Sequence, residues 1–127
     1  MFELTIGGKV YEFNFGMGFM REINKKIGVP VDGLPDVKKN MGLQYTVAGI
    51  IDGDLEALVD ALEVANKGRV PRATREILDG YIDDPDTDID KLFEEVMGFL
   101  KHANATKKTM ETLQKAIEAE KQKQMNL

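Results

Sequence analysis

The chain has 127 residues, 43% of them hydrophobic and 31% charged, which is typical of one globular domain with a modest core. Cysteine and serine are absent and His102 is the single histidine, so disulfide bonds and Ser or Cys nucleophiles are excluded and little is left for metal or acid–base chemistry. The net charge of −5 is unevenly spread, because from Lys101 onward six lysines face three glutamates, whereas the preceding residues hold nineteen acids and eleven basic side chains.

The first residues predict a β-hairpin. The runs FELTI and KVYEFNF alternate apolar and polar residues on either side of Gly7 and Gly8, which supply the positive φ angles of a tight turn. This turn places Ile6 opposite Lys9, Leu4 opposite Tyr11 and Phe2 opposite Phe13. Because two strands alone are marginally stable, the apolar face of the hairpin must pack on helices. That face consists of Phe2, Leu4, Ile6, Tyr11, Phe13 and Phe15.

Amphipathic patterns predict about six helices after the hairpin. The first runs from Met17 to Ile27 and is ended by Gly28. Residues 29–39 contain two prolines and a glycine and predict a mobile loop. Each of the next four helices is predicted from a polar capping residue at its start, and Gly68 is predicted to end the second of the four. In the last, Asp90 stands where a capping box has Glu or Gln, so the pair with Thr87 resembles such a box. These caps are Asn40, Asp54, Thr74 and Thr87.

The predicted fold class is therefore α+β and mostly α-helical, an N-terminal β-hairpin followed by a small helical array. We expect a core domain over residues 1–103 and a basic C-terminal helix or tail over residues 104–127. In this tail, Met110, Leu113 and Ile117 form an apolar stripe that is too narrow to be fully buried. Together with Lys107 and the lysines that follow it, the stripe is the predicted contact for a partner protein or for another copy of the chain.

Two glycines, Gly16 and Gly18, lie between the hairpin and the first helix, as in a nucleotide-binding loop. The third glycine of a GxGxxG motif would fall at Arg21, and the pattern GxxxxGK[ST] occurs nowhere in the chain. We therefore interpret the pair as a structural hinge, in which Gly16 frees the backbone to turn and Gly18 allows the helix start to pass close to the hairpin.

The segment DPDTDIDKLFEE, residues 84–95, has acids at the ligand positions of a calcium loop, namely Asp84, Asp86, Asp88, Asp90 and Glu95. However, the glycine that such a loop needs for its sharp turn is replaced by Ile89, and its second position is Pro85. Acids before a helix are the ordinary complement of its positive end. Helix capping is therefore the main interpretation, a weak cation site is the alternative, and no cofactor is expected.

Four segments in collinear order resemble the tail assembly chaperones of long-tailed bacteriophages of Gram-positive hosts. They are FNFGMGFMREINKKIG, NMGLQYTVAGIIDGDLEALVDAL, RATREILDGYIDD and DTDIDKLFEEVMGFLKHANATKKTM, which span about residues 10 to 110. The resemblance is carried by the FG turn and RE pair, by GLQY, by the acidic DTDI cap and by NATKK. None of these is a catalytic signature.

This resemblance implies a non-enzymatic protein that binds the tape measure protein, keeps that long helical chain soluble and helps recruit tail tube subunits. It also implies self-association and absence from the mature virion. The first residues have neither the basic nor the long apolar segment of a secretory signal, so the expected location is the cytoplasm of the infected or lysogenic host. Neither a membrane nor a nucleic acid is an expected partner, because no apolar run is long enough to span a bilayer and an acidic body repels phosphate. The alternatives are an acidic mimic of DNA, which the basic end of the chain disfavours, a calcium-responsive module, and a generic adaptor.

Overall fold

A computed structural model describes residues 1–126, and over these residues the chain forms two antiparallel hairpins and six helices. With 56% of residues in helices and 17% in strands, the predicted class, α+β and mostly helical, is confirmed. Leu127, the last residue of the predicted tail, lies outside the described residues. The elements are β1 (Phe2–Ile6), β2 (Lys9–Phe13), α1 (Met17–Asn24), β3 (Gly28–Val31), β4 (Leu34–Asn40), α2 (Gly42–Ile51), α3 (Leu55–Ala65), α4 (Arg75–Asp83), α5 (Ile89–His102) and α6 (Lys107–Met125).

The first hairpin has the predicted register. Phe2 pairs with Phe13, Leu4 with Tyr11 and Ile6 with Lys9, around a turn in which both glycines have positive φ angles, 58° and 80°. All of the predicted apolar face is buried except Ile6, which is half-buried. The hairpin is fixed to the helices at its end, where the backbone N–H of Asn14 donates to the backbone carbonyl of Ala65 in α3 at 2.8 Å.

The core lies between this hairpin and the helices, and every helix contributes buried side chains to it. Each fully buried Leu, Ile, Val, Phe or Met side chain stabilises the fold by roughly 1.5–3 kcal/mol relative to an exposed one. Leu58 and Leu62 of α3 are fully buried, and α5 contributes Val96 and Leu100. The remaining fully buried large apolar side chains are Phe13, Ile23, Val47, Ile50, Leu78 and Met110.

The first helix is shorter than predicted, because α1 ends at Asn24 and Ile27 is not part of it. The chain turns instead so that α2 begins against the end of α1. The side-chain oxygen of Asn24 accepts a hydrogen bond from the Leu43 amide at 3.3 Å. The predicted cap Asn40 is therefore wrong: it ends β4, and Met41 occupies the N-cap position of α2.

The predicted loop over residues 29–39 is also wrong, because β3 and β4 pair as a second hairpin. Gly33 makes the turn with a φ angle of +78°. All seven residues of β4 are exposed, and in β3 only Val29 and Val31 are half-buried. This hairpin therefore has no buried apolar face. Its sequence lacks the alternation of apolar and polar residues by which the first hairpin was predicted.

Side-chain caps start three of the later helices. Asp54 accepts from the Glu56 amide at 2.9 Å and Thr74 accepts from the Ile77 amide at 3.3 Å, as predicted. The capping box with Thr87 is wrong, because α5 is capped by Asp88, which accepts from the Lys91 amide at 3.0 Å. The Thr87 hydroxyl instead donates to the Tyr81 carbonyl at 2.6 Å and so fixes the turn between α4 and α5.

A buried asparagine, Asn66, closes α3 and ties it to the hairpin. Its side-chain nitrogen donates to the carbonyls of Glu12 and Pro71, at 3.0 and 3.3 Å, and its oxygen accepts from the Ala73 amide at 2.6 Å. Helix α3 therefore ends at Ala65, before the predicted Gly68. A buried amide is tolerated because these bonds satisfy it.

Candidate interaction surfaces

The predicted partner stripe on α6 is divided between the core and the surface. Met110 is fully buried, so the prediction that it contacts a partner is wrong for this structure. Leu113 packs against the core and is half-buried, Ile117 is half-buried, and Lys107 is exposed. The start of α6 also belongs to the core through Thr106, whose buried hydroxyl donates to the Leu100 carbonyl at 2.7 Å.

The outer part of α6 is a solvated, charged helix. From Glu118 to Asn126 every residue is exposed. Lys115 pairs with Glu111 at 3.0 Å, and this hydrogen bond, followed by the charges of Lys115 and Lys108, lowers the pKa of Glu111. Nineteen residues of helix extend for about 28 Å, so this end of α6 reaches well beyond its buried first turns.

The acids of residues 84–95 do not converge on one point. Asp84 accepts from the Asp86 amide at 3.0 Å in the turn after α4, Asp88 caps α5, and Glu95 lies 3.8 Å from Lys91 on the helix surface. Among residues 1–126 no group of three or more metal-ligating side chains is arranged to hold an ion. The structure therefore gives no support to the alternative cation site at Asp84, Asp86, Asp88, Asp90 and Glu95.

The single histidine lies in the last turn of α5. His102 Nδ1 is 2.8 Å from the Gly98 carbonyl oxygen, one turn earlier in the same helix. This geometry places the side chain along the surface of α5, close to the carbonyl end of the helix, where positive charge is favourable.

The predicted hinge at Gly16 and Gly18 does not have the geometry that was expected. Gly16 has a φ angle of −96°, which any residue can adopt, and a side chain there would meet only the movable Asn14 side chain, at 3.2 Å. At Gly18 a Cβ would meet no atom of the described residues within 4 Å, so the close approach predicted there is wrong. The close approach occurs at Gly42, which the sequence pattern did not single out: its added Cβ would overlap the Ile23 carbonyl.

An apolar groove that the sequence patterns did not indicate lies between the start of α1 and the end of α5. It has a volume of about 320 Å³ and is lined by Phe15, Met17, Phe99 and Ala103, among others. We call it the Phe99 groove. A second hollow of about 430 Å³ is also lined by Phe99, together with Glu95, Gly98 and His102.

A further groove, of about 460 Å³, lies between the first hairpin and α4. Tyr11 and Tyr81 line it, with Lys9, Glu76 and Asp84 at its border. Burial, and then the charges of Glu95 and Asp84, raise the pKa of Tyr81 above its ordinary value. The Tyr81 side chain is partly buried and packs against the core.

The fold and these surfaces define a small helical protein with apolar and charged areas suited to contacts with other chains. A family model described as "Phage tail assembly chaperone protein, TAC" matches residues 3–115. Because the match covers most of the chain, the protein belongs to the phage tail assembly chaperone family, and the resemblance seen in the sequence is confirmed. Comparisons with curated proteins and with solved structures found no significant match.

Family membership gives the protein a role in phage tail assembly. This role implies contacts with other tail proteins, and it suggests a non-enzymatic protein. Over residues 1–126, none of the helices combines the length and the apolar character that crossing a membrane requires.

Proposed function

We propose that this chaperone binds the tape measure protein, keeps it soluble until the tail is built and helps recruit tail tube subunits. The match of the family model to residues 3–115 is the observation that carries the proposal. A long helical chain that awaits assembly exposes apolar stripes and aggregates unless they are covered. Binding to such stripes needs surface contacts and no reaction.

The proposed contact on α6 consists of Lys107, Leu113 and Ile117. Met110 is excluded from it because its side chain is fully buried. Leu113 and Ile117 lie four residues apart, so they share one face of the helix and form a ridge that can pack against another helix. Lys107, six residues before Leu113, adds a positive charge at the start of the same helix.

We also propose that copies of the chain associate with each other, in the cytoplasm of the host, and that they leave before the virion is complete. The charge distribution supports association. Residues 76–95 contain nine acids and one lysine, whereas the chain from Lys101 onward has six lysines and three glutamates. Opposite charges on different parts of one surface attract neighbouring copies.

Co-expression with the tape measure protein of the same phage tests the proposal. We expect the tape measure protein to be soluble with the chaperone and largely insoluble without it. Equal solubility in both cases would contradict the proposed function.

A titration of the tape measure protein with purified Ile117→Glu chaperone locates the contact. A charge on the proposed ridge should raise the dissociation constant for the tape measure protein about tenfold or more. Ala116→Glu is the matched control, because Ala116 is exposed and points about 100° away around the helix. Equal losses in both variants would show that Ile117 has no special part in binding.

A further inference from the structure

We propose that the Phe99 groove is a docking site for an amphipathic helix of another protein, one whose apolar side chains are flanked by acidic residues. This inference rests on the proposed function, since it names the surface and the kind of segment by which a helical client is held. It concerns a different surface from the ridge on α6.

The groove is rimmed by exposed apolar side chains. Met1 is 56% exposed, Met17 48% and Phe99 38%. Removing such apolar surface from water on binding is favourable in free energy. All three border the same groove of about 320 Å³. Exposed apolar side chains that meet in one concave place mark an interaction site, and methionine in particular adapts its shape to different partners.

The aromatic part of the groove is held against the core and is therefore formed before any partner arrives. The Phe99 ring lies 5.3 Å from Phe2 and 6.4 Å from Phe15, measured between ring centres, and Phe15 meets Phe19 edge-on at 5.1 Å. Phe2, Phe15 and Phe19 are buried. Binding to such a surface orders few side chains, so little of the contact energy is lost to ordering.

Two hollows that share Phe99 as a lining residue fit a helix better than a single small molecule. Apolar side chains at positions i and i+4 of a helix lie about 5–6 Å apart and point the same way. One such side chain can enter the Phe99 groove and the other the hollow beside Gly98 and His102, and both would contact Phe99, which lines the two hollows. This is the pattern of anchors by which amphipathic helices bind apolar grooves.

Basic residues flank the groove-lining stretch Ala103 to Ala105 along the chain, and their charge favours an acidic partner. Residues 96–110 contain Lys101, His102, Lys107 and Lys108 and no acid, and within this segment Ala103 to Ala105 line the groove. All three lysines are exposed. The start of α1, which also borders the groove, has no acid in its first turn, so the positive end of its dipole is not compensated there. Glu95 is the acid at the border of the second hollow.

A substitution at Met17 tests the groove without endangering the fold. Met17 is the first residue of α1, where a glutamate favours the helix dipole, so Met17→Glu should fold with an unchanged or higher melting temperature. It places a negative charge in a groove that is proposed to bind acids. We expect its affinity for the tape measure protein to fall about tenfold or more.

The matched control is Leu55→Glu. Leu55 is likewise an exposed apolar residue at the first position of a helix, α3, and it does not border the groove. Its variant should bind as the unsubstituted protein does. If the unsubstituted protein does not bind the tape measure protein at all, the proposed function fails; if it binds and Met17→Glu binds equally well, only the groove assignment is overturned.

Designed peptides test the charge preference independently of any phage partner. Two peptides of about five helical turns share a stripe of Leu and Phe, and carry either Glu or Lys at the other positions. With ¹³C-methyl-labelled methionine, the acidic peptide should shift the Met17 methyl signal and leave those of buried Met110 and distant Met125 in place. Equal binding of both peptides, or shifts confined to Met125, would overturn the proposal.

A second copy of the chain is the competing occupant of the groove. Light scattering of Met17→Glu over a concentration series separates the two cases. If Met17→Glu loses self-association while it retains binding to the tape measure protein and to the acidic peptide, the groove belongs to contacts between copies and the proposal is overturned. Unchanged self-association with weakened binding supports it.

Discussion

Gly42 is the position at which a single methyl group should be most harmful. A Cβ added there would overlap the Ile23 carbonyl oxygen and lie 2.9 Å from its carbon, and backbone atoms cannot swing aside as a side chain can. We expect Gly42→Ala to lower the free energy of unfolding by on the order of 1–3 kcal/mol, the range for overpacked cores. Urea unfolding followed by circular dichroism would measure it.

The control for this change is Gly18→Ala, which also lies within a helix but where the added Cβ would meet no described atom within 4 Å beyond its chain neighbours and the backbone of its own helix. Alanine is favoured over glycine in a helix, so this variant should be more stable by about 0.5–1 kcal/mol. Opposite signs for the two variants are the expected result. A stabilised Gly42→Ala would contradict the close contact between α1 and α2.

At single positions, the roles that depend on neighbouring residues in the sequence could be predicted. The roles that depend on contacts between distant parts of the chain could not. Asp54 and Thr74 cap helices through bonds to amides two and three residues away. The role of Asn66 could not be predicted in this way, because its partner Glu12 is far away in the chain. Gly42 is required only because α1 passes beside it, and no local pattern marks such a contact.

At the scale of elements, the two hairpins should differ greatly in stability. In β1 and β2, Phe2, Leu4, Tyr11 and Phe13 are buried, whereas all residues of β4 are exposed. An isolated two-stranded hairpin is marginal in water. We therefore expect the paired amides of β3 and β4 to exchange with deuterium through local opening, far faster than those of β1 and β2, in native-state exchange followed by NMR.

The first hairpin is the internal control in this measurement, since its amides should be protected nearly as well as the core helices. Equal protection of both hairpins would contradict the expectation and would show that β3 and β4 are held by something other than their own pairing. The prediction that residues 29–39 are mobile would then fail as well.

The same contrast explains how far the elements and surfaces could be predicted. Alternating apolar and polar residues predicted the first hairpin and its Gly7-Gly8 turn predicted the register, whereas the second hairpin lacks the alternation and contains Pro30 and Pro35. On α6, spacing identified the apolar stripe but could not show that Met110 enters the core. The Phe99 groove is assembled from residues distant in the chain, such as Met17 and Phe99, so no spacing along the sequence indicates it.

At the scale of the whole molecule, the uneven charge should make the proposed self-association depend on salt. An acidic stretch at residues 76–95 and a basic chain end attract each other between copies, and salt screens this attraction, with a Debye length of about 10 Å at 0.1 M and about 3 Å at 1 M. We expect the average mass measured by light scattering to rise with protein concentration at low salt and to rise much less near 1 M.

Reversing charges on the outer part of α6 separates a specific attraction from a simple effect of net charge. Lys121→Glu with Lys123→Glu changes two exposed residues of the basic end and should abolish the rise in mass at low salt. Lys25→Glu with Lys26→Glu changes the net charge equally, at exposed residues that follow α1, and should weaken association less. Equal loss in both double variants would mean that overall repulsion governs association, and a monomer at every concentration and salt level would refute self-association itself.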